Sequence, residues 1–180
     1  MPLSDHRQYG PVLTAVLARQ PQDVLDIGMG LGLYGVLLRA HLGHDLTVVG
    51  VEPHRPYGVP GWDAYDAIVQ DAWPLRLSAV PAPGDLPYDV ALMIDVLEHY
   101  LDETAAAQAV DALVGVARAL VVAYPKDALR DDLAIDYPDN PYEQHHWQPT
   151  LQWLATRPWM HLVEVHSLPD SYVCVLEVVT

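Results

Sequence analysis

Val24-Leu25-Asp26-Ile27-Gly28-Met29-Gly30-Leu31-Gly32 joins a short apolar run to three alternating glycines, and the residues from Leu33 to Leu42 that follow have helical character. The pattern is a buried strand over 23–27, a tight turn over 28–32 and a helix over 33–42. Glycines directly after a strand let the backbone approach a ligand closely, and amides at the start of the following helix point into the same crevice. Such a turn is common by itself, so its surroundings decide what it means.

Working downstream, 46–51 predicts a second strand, stopped at Glu52-Pro53. A short helical stretch is expected over 62–67, and a third strand near 67–70 that ends at Asp71. Strands follow over 88–94 and 119–123, with an amphipathic helix over 101–117 between them. A helix over 151–156 precedes two β-rich segments, 161–166 and 172–179, set around Pro169-Asp170-Ser171 as in an antiparallel hairpin. Upstream, Ser4 or Asp5 caps a helix within 1–20 whose apolar stripe is Val12, Leu13, Val16 and Leu17. Pro11 is expected to break or kink it. The fold class is therefore α/β: a Rossmann-like, doubly wound sheet of about seven strands, mostly parallel, with a C-terminal antiparallel hairpin. Its ligand crevice should lie at the carboxyl ends of the central strands. The Pro- and Gly-rich stretches 53–61 and 74–87 read as connectors. Residues 126–149, polar and aromatic, read as a loop or lid over the crevice.

Composition narrows the function classes. With 180 residues, 51% of them hydrophobic, the chain reads as a single domain over 1–180. Nine Lys and Arg against 24 Asp and Glu give a formal charge of −15. Such a surface repels a phosphate backbone and favours neutral or cationic small molecules over nucleic acid, unless Arg55 or Arg76 reverses the field locally. One cysteine, Cys174, permits no intrachain disulfide and reads as a small core residue, which fits a reducing cytoplasm. No stretch has signal-peptide or membrane-spanning form, so a soluble, cytoplasmic protein with no membrane partner is expected. Nothing opposes a homodimer.

Glu52 ends the second strand about 20 residues after the glycine turn, where a carboxylate can accept both hydroxyl hydrogens of a ribose. At this point the chain resembles the class I S-adenosylmethionine-dependent methyltransferases over nearly all its length. Asp26, Gly28, Gly30 and Gly32 match the family's acidic-then-glycine motif. Glu52 and Asp71 match its acidic residues after the second and third strands, and Asp89 to His99 is similar to its fourth-strand motif. The resemblance implies S-adenosylmethionine as cofactor. The glycine loop would pass beneath its methionine part, and Asp26 would help to hold the ammonium. Glu52 would bind the ribose hydroxyls and Asp71 the adenine amino group. Ala72 would donate its amide to the ring, with Pro53 and Trp73 as apolar walls. Asp95 would lie between cofactor and acceptor. Met29 and Leu31 depart from the small or polar residues common between those glycines.

Gly30-Leu31-Gly32-Leu33-Tyr34-Gly35 also has the spacing of a nicotinamide dinucleotide turn. An NAD-dependent oxidoreductase is disfavoured because Asp26 would set a negative charge beside a pyrophosphate. A catalytically silent S-adenosylmethionine-binding subunit is the other alternative. For a small-molecule acceptor that keeps a proton on oxygen or nitrogen, His99 and His145 are candidate bases, with Asp95 beside them. The segment 139–147 resembles one found in some bacterial small-molecule and glycan-pathway methyltransferases, in which His145 is the matched position and His146 an extra neighbour. Asp95 could instead cap the following turn, and His99 could be a structural histidine. Adjacent histidines rarely face one ion, so no metal is expected at His99, Glu143, His145 and His146.

Overall fold

The described runs of β-forming residues bounded by turn chemistry join one sheet in the computed structural model, which describes residues 5–55, 60–74, 87–128 and 140–179. Ser4, Arg76, the middle of both proline-rich connectors and residues 129–139 of the expected lid lie outside the described residues. The strands are β1 (Asp23–Ile27), β2 (Thr47–Val51), β3 (Ala67–Val69), β4 (Tyr88–Ile94), β5 (Ala117–Pro125), β6 (Met160–Ser167) and β7 (Ser171–Val178). Their order is β3-β2-β1-β4-β5-β7-β6. The first five pair in parallel, and β7 runs antiparallel to both β5 and β6. Chain order reverses between β1 and β4, and in a doubly wound sheet that reversal opens a crevice at the strands' carboxyl ends.

The helices cover both faces because side chains alternate along each strand. On one face Leu25 and Ile27 of β1, with Ala91 and Met93 of β4, pack near Ala106, Ala109 and Val110 of α3 (Glu103–Asp111) and near Trp153 and Leu154 of α4 (Leu151–Ala155). On the other, Val24, Val90, Leu92 and Val121 pack with Val12, Leu13 and Val16 of α1 (His6–Leu17) and with Tyr34 and Leu38 of α2 (Leu33–Leu42). Asp26 shares its parity with Val24, which turns a carboxylate toward the face that α1 and α2 cover.

Several boundaries differ from the sequence reading, each for a local reason. Asp5 caps α1 by accepting from the Arg7 amide at 3.0 Å, and the helix passes through Pro11 unbroken. Proline there forgoes one amide bond, toward the helix's first turn, while burial of Val12, Ala15 and Val16 holds the following turns in place. The helix expected over 62–67 is a 3₁₀ turn over Pro60–Ala64, because Asp66 has already joined the sheet: its amide donates to Val48 O at 2.8 Å. The helix expected over 101–117 is only α3. Asp102 caps its start by accepting from the Ala105 amide at 2.8 Å, and Gly115 at φ 77° turns the chain into β5. Leu113 and Val116 stay buried in that turn and prolong the apolar spacing past the helix end.

Candidate active site

The glycine turn is built as a left-handed path: Gly28, Gly30 and Gly32 have φ of 70°, 52° and 80°, conformations that side chains resist. Two neighbours press against it. A Cβ on Gly28 would stand 2.5 Å from Val96 Cγ2, and one on Gly32 would stand 2.7 Å from Gly61 O. Gly32 ends the turn as the first boundary residue of α2.

Glu52 locks the turn to the end of β2. Its carboxylate is 4% exposed and accepts from the Gly30 amide at 2.9 Å and from the His54 amide at 2.8 Å. Burial nevertheless pushes its pKa upward against those two bonds. Asp26 is buried too, and its Oδ2 accepts from the Tyr65 hydroxyl at 2.5 Å, while that hydroxyl accepts from the Gly35 amide at 3.0 Å. Burial, helped by the charge of Glu52 and opposed by the Tyr65 bond, raises the Asp26 pKa to about 7. Trp62 Nε1 donates to Gly30 O at 2.8 Å and closes the outside of the turn.

At the end of β4, Asp95 has φ 54°, rare for a residue with a side chain and the kind of strain that gathers at functional sites. Its amide donates to Ala123 O at 2.8 Å and its Oδ1 accepts from Gln8 Nε2 of α1 at 3.0 Å. Next to it, Glu98 and His99 stand on a single 3₁₀ turn, Leu97–His99. Glu98 is 1% exposed, and its pKa is driven well up by burial and then by the Asp95 charge. The His99 ring packs against the His145 ring, centroids 4.8 Å apart, and burial together with His145 lowers its pKa to about 4. Burial lowers that of His145 as well. The 140–149 stretch is pinned here by the His146 amide on Glu98 O at 2.9 Å, and by Trp147, which donates to Leu97 O at 2.5 Å and packs on Trp153.

These groups surround a cavity of about 570 Å³ at the sheet's reversal point, within the roughly 300–1,000 Å³ usual for small-ligand sites. Of the residues singled out in the sequence, Asp26, Gly28, Gly30, Glu52 and Pro53 line it. Ala72, Trp73, Asp95 and His99 line it as well. Gly32, Asp71 and His145 do not line it. Gly32 faces Gly61, Asp71 is exposed and accepts from the Ala72 amide at 2.8 Å, and the His145 ring nitrogen Nδ1 donates to Ala128 O. His146, the unmatched neighbour, does reach the cavity, as do Asn140, Tyr142 and Glu143.

Sequence reasoning missed Gln8, Tyr65 and the grouping around Glu98. Gln8 carried a signal, since a polar residue four before Val12 falls on the buried stripe of α1. Tyr65 carried none.

A family model described as a methyltransferase domain matches residues 5–168. The chain belongs to that family. Its membership and sheet order are those of the class I S-adenosylmethionine-dependent methyltransferases, whose cofactor is S-adenosylmethionine. Among solved structures, the chain is similar to a magnesium protoporphyrin IX methyltransferase from Synechocystis with bound SAH (TM-score 0.68, 16% identity, 97% of this chain and 83% of that one). It is similar also to the N-methyltransferase NodS from Bradyrhizobium japonicum (0.63, 13%, 99% and 100%). An rRNA methylase from Escherichia coli matches at 0.59 and 15% over 96% of this chain. The chain spans 64% of the length of that enzyme. At such identities the likeness is one of fold. No curated protein matches the chain significantly. Among the described residues, no helix is long and apolar enough to cross a membrane.

Proposed function

We propose that this methyltransferase moves a methyl group from S-adenosylmethionine to an oxygen or nitrogen of a small-molecule acceptor, as one domain acting in the cytoplasm. The buried Glu52 carboxylate at the cavity wall, tied to the Gly30 amide, carries the cofactor half of this reading. The donor set suits the cofactor: a carboxylate with lone pairs to spare for ribose hydroxyls, a left-handed glycine path for close approach, and a second buried carboxylate, Asp26, for an ammonium. Pro53 and Trp73 offer apolar walls for the adenine, and Ala72, next to Trp73 in the chain, lines the same cavity. Asp71 would have to exchange its bond with the Ala72 amide to accept from the adenine amino group.

When bound, the cofactor supplies an electrophilic methyl group on a sulfonium. In-line transfer from it to the acceptor, with the thioether as leaving group, depends first on positioning and on exclusion of water. Asn140, Tyr142, His146 and His99 face the cavity beside Asp95 and would orient the acceptor. Among the candidate bases, His99 presents a neutral imidazole to the acceptor and His145 acts behind it, as a positioning residue packed on its ring. The charge of −15 supports a neutral or cationic acceptor rather than a nucleic acid. Titration calorimetry with S-adenosylmethionine and its demethylated product tests the cofactor half; no heat from either at high micromolar concentration would remove it. Labelled-methyl transfer to a panel of small hydroxyl and amine acceptors, with structured RNA as a further arm, tests the acceptor half. Label on the RNA alone would overturn the small-molecule reading.

A further inference from the structure

Glu98, His99 and His145 each present one potential ligand atom, and the three atoms lie within 4.8 Å of one another. Their surroundings are those of a prepared metal site rather than of a chance cluster. A carbonyl can only accept, so His99 Nδ1 donates to Gln144 O at 3.2 Å and His145 Nδ1 donates to Ala128 O. Both rings are thereby held in the tautomer that keeps a lone pair on Nε2, as backbone acceptors do for metal-bound imidazoles. Glu98 is 1% exposed, and among the described residues its Oε2 has no hydrogen-bond partner. A carboxylate so enclosed needs a cation or a proton. The negative charges of Asp95 and Glu143 both act on Glu98, which adds to the pull on a cation.

We infer that Glu98, His99 and His145 form a binding site for one divalent first-row transition ion, with its open positions turned toward the cavity through His99. Two imidazoles and one carboxylate leave coordination sites vacant and suit ions of the manganese-to-zinc series. Ligand bonds of about 2.0–2.2 Å would draw the three groups together by on the order of 1 Å. The adjacent His146 is not in the group, which answers the objection that neighbouring histidines seldom share an ion: only His145 of the two joins Glu98 and His99, while His146 lines the cavity and its amide holds Glu98 O. The role that follows rests on the methyl-transfer reading, although ion binding itself does not. An acceptor oxygen bound to the ion would lose its proton near neutral pH, so that the ion and not a free histidine would activate it.

Zinc titration by calorimetry and cobalt titration by visible absorption, both on the cofactor-free protein near neutral pH, test the site. One ion should bind with a dissociation constant below about 10 µM. Glu98→Gln and His145→Ala should each weaken it by more than about tenfold, whereas His166→Ala, at a half-buried histidine of β6 outside this group, should leave it unchanged. As a check that needs no variant, zinc should shift the ring ¹⁵N signals of His99 and His145. Binding that survives in both Glu98→Gln and His145→Ala, or a protein that takes up no ion and shifts neither ring, would overturn the inference. Cofactor binding in that same protein would leave the methyltransferase reading standing.

Discussion

Asp26 and Tyr65 stand 39 residues apart in the chain and share a 2.5 Å hydrogen bond beneath the glycine turn. The phenol bridges a buried carboxylate to the Gly35 amide at the start of α2. Close packing accommodates it, since a Cβ on Gly35 would stand 2.3 Å from Tyr65 Cε2. Tyr65→Phe removes the donor to Asp26 and the acceptor of Gly35 together. Leaving such groups buried without partners costs about 1–3 kcal/mol, which denaturant unfolding of the cofactor-free protein should register.

Asp26 should make cofactor binding depend on pH. Its pKa of about 7 lies above the ordinary carboxyl value, so the folded protein holds this proton more tightly than the unfolded chain. Asp26 therefore lowers stability as pH rises from about 4 to about 7, and no further above that. Over the upper part of the same range the carboxylate appears that would hold the ligand ammonium. S-adenosylmethionine affinity should rise between about pH 6 and 7.5 in the wild type. In Asp26→Asn it should be weaker and nearly flat across that window, as calorimetry at each pH would reveal.

Glu52→Ala should weaken cofactor affinity by more than about tenfold, because the proposed charge-assisted contact to the ribose would be lost along with the tie to Gly30. Unchanged affinity would refute the assignment of this carboxylate.

His145→Ala should lower turnover and leave cofactor affinity nearly intact, since the ring lies behind His99 and does not line the cavity. Measuring KM and kcat apart from cofactor dissociation separates the two effects. A loss of cofactor affinity would move His145 to the other half of the site.

Gly61→Ala tests the support of the turn from outside. The added Cβ would stand 2.2 Å from Leu31 O, a backbone atom with no freedom to swing aside. The glycine turn must shift, with a stability loss of about 1–3 kcal/mol and a weaker cofactor complex. Thermal unfolding and calorimetry on one preparation would measure both.

The short apolar run of β1 and the glycines after it were legible because strand and turn chemistry is local: each residue answers to neighbours a few positions away. The same holds for Glu52, whose place is fixed by the strand it ends. Helix ends were less legible. Leu113 and Val116 continue the apolar spacing of α3 although the chain has already turned at Gly115, since burial rewards the spacing whatever the backbone does. Asp71 matched a position in the family's pattern, yet only coordinates could reveal that its carboxylate takes the neighbouring Ala72 amide.

By itself the sequence determined the order of elements, the position of the glycine turn and the acidic residues that end its strands. All of these follow from periodicity and local backbone preference. The tertiary structure alone decided that Gln8 reaches Asp95, that Tyr65 lies beneath Asp26, and that His145 joins Glu98 and His99 while His146 lines the cavity. Those contacts join residues 39 to 87 positions apart, or choose between adjacent identical side chains. Such choices depend on how the packed sheet brings its loops together, which no local pattern encodes.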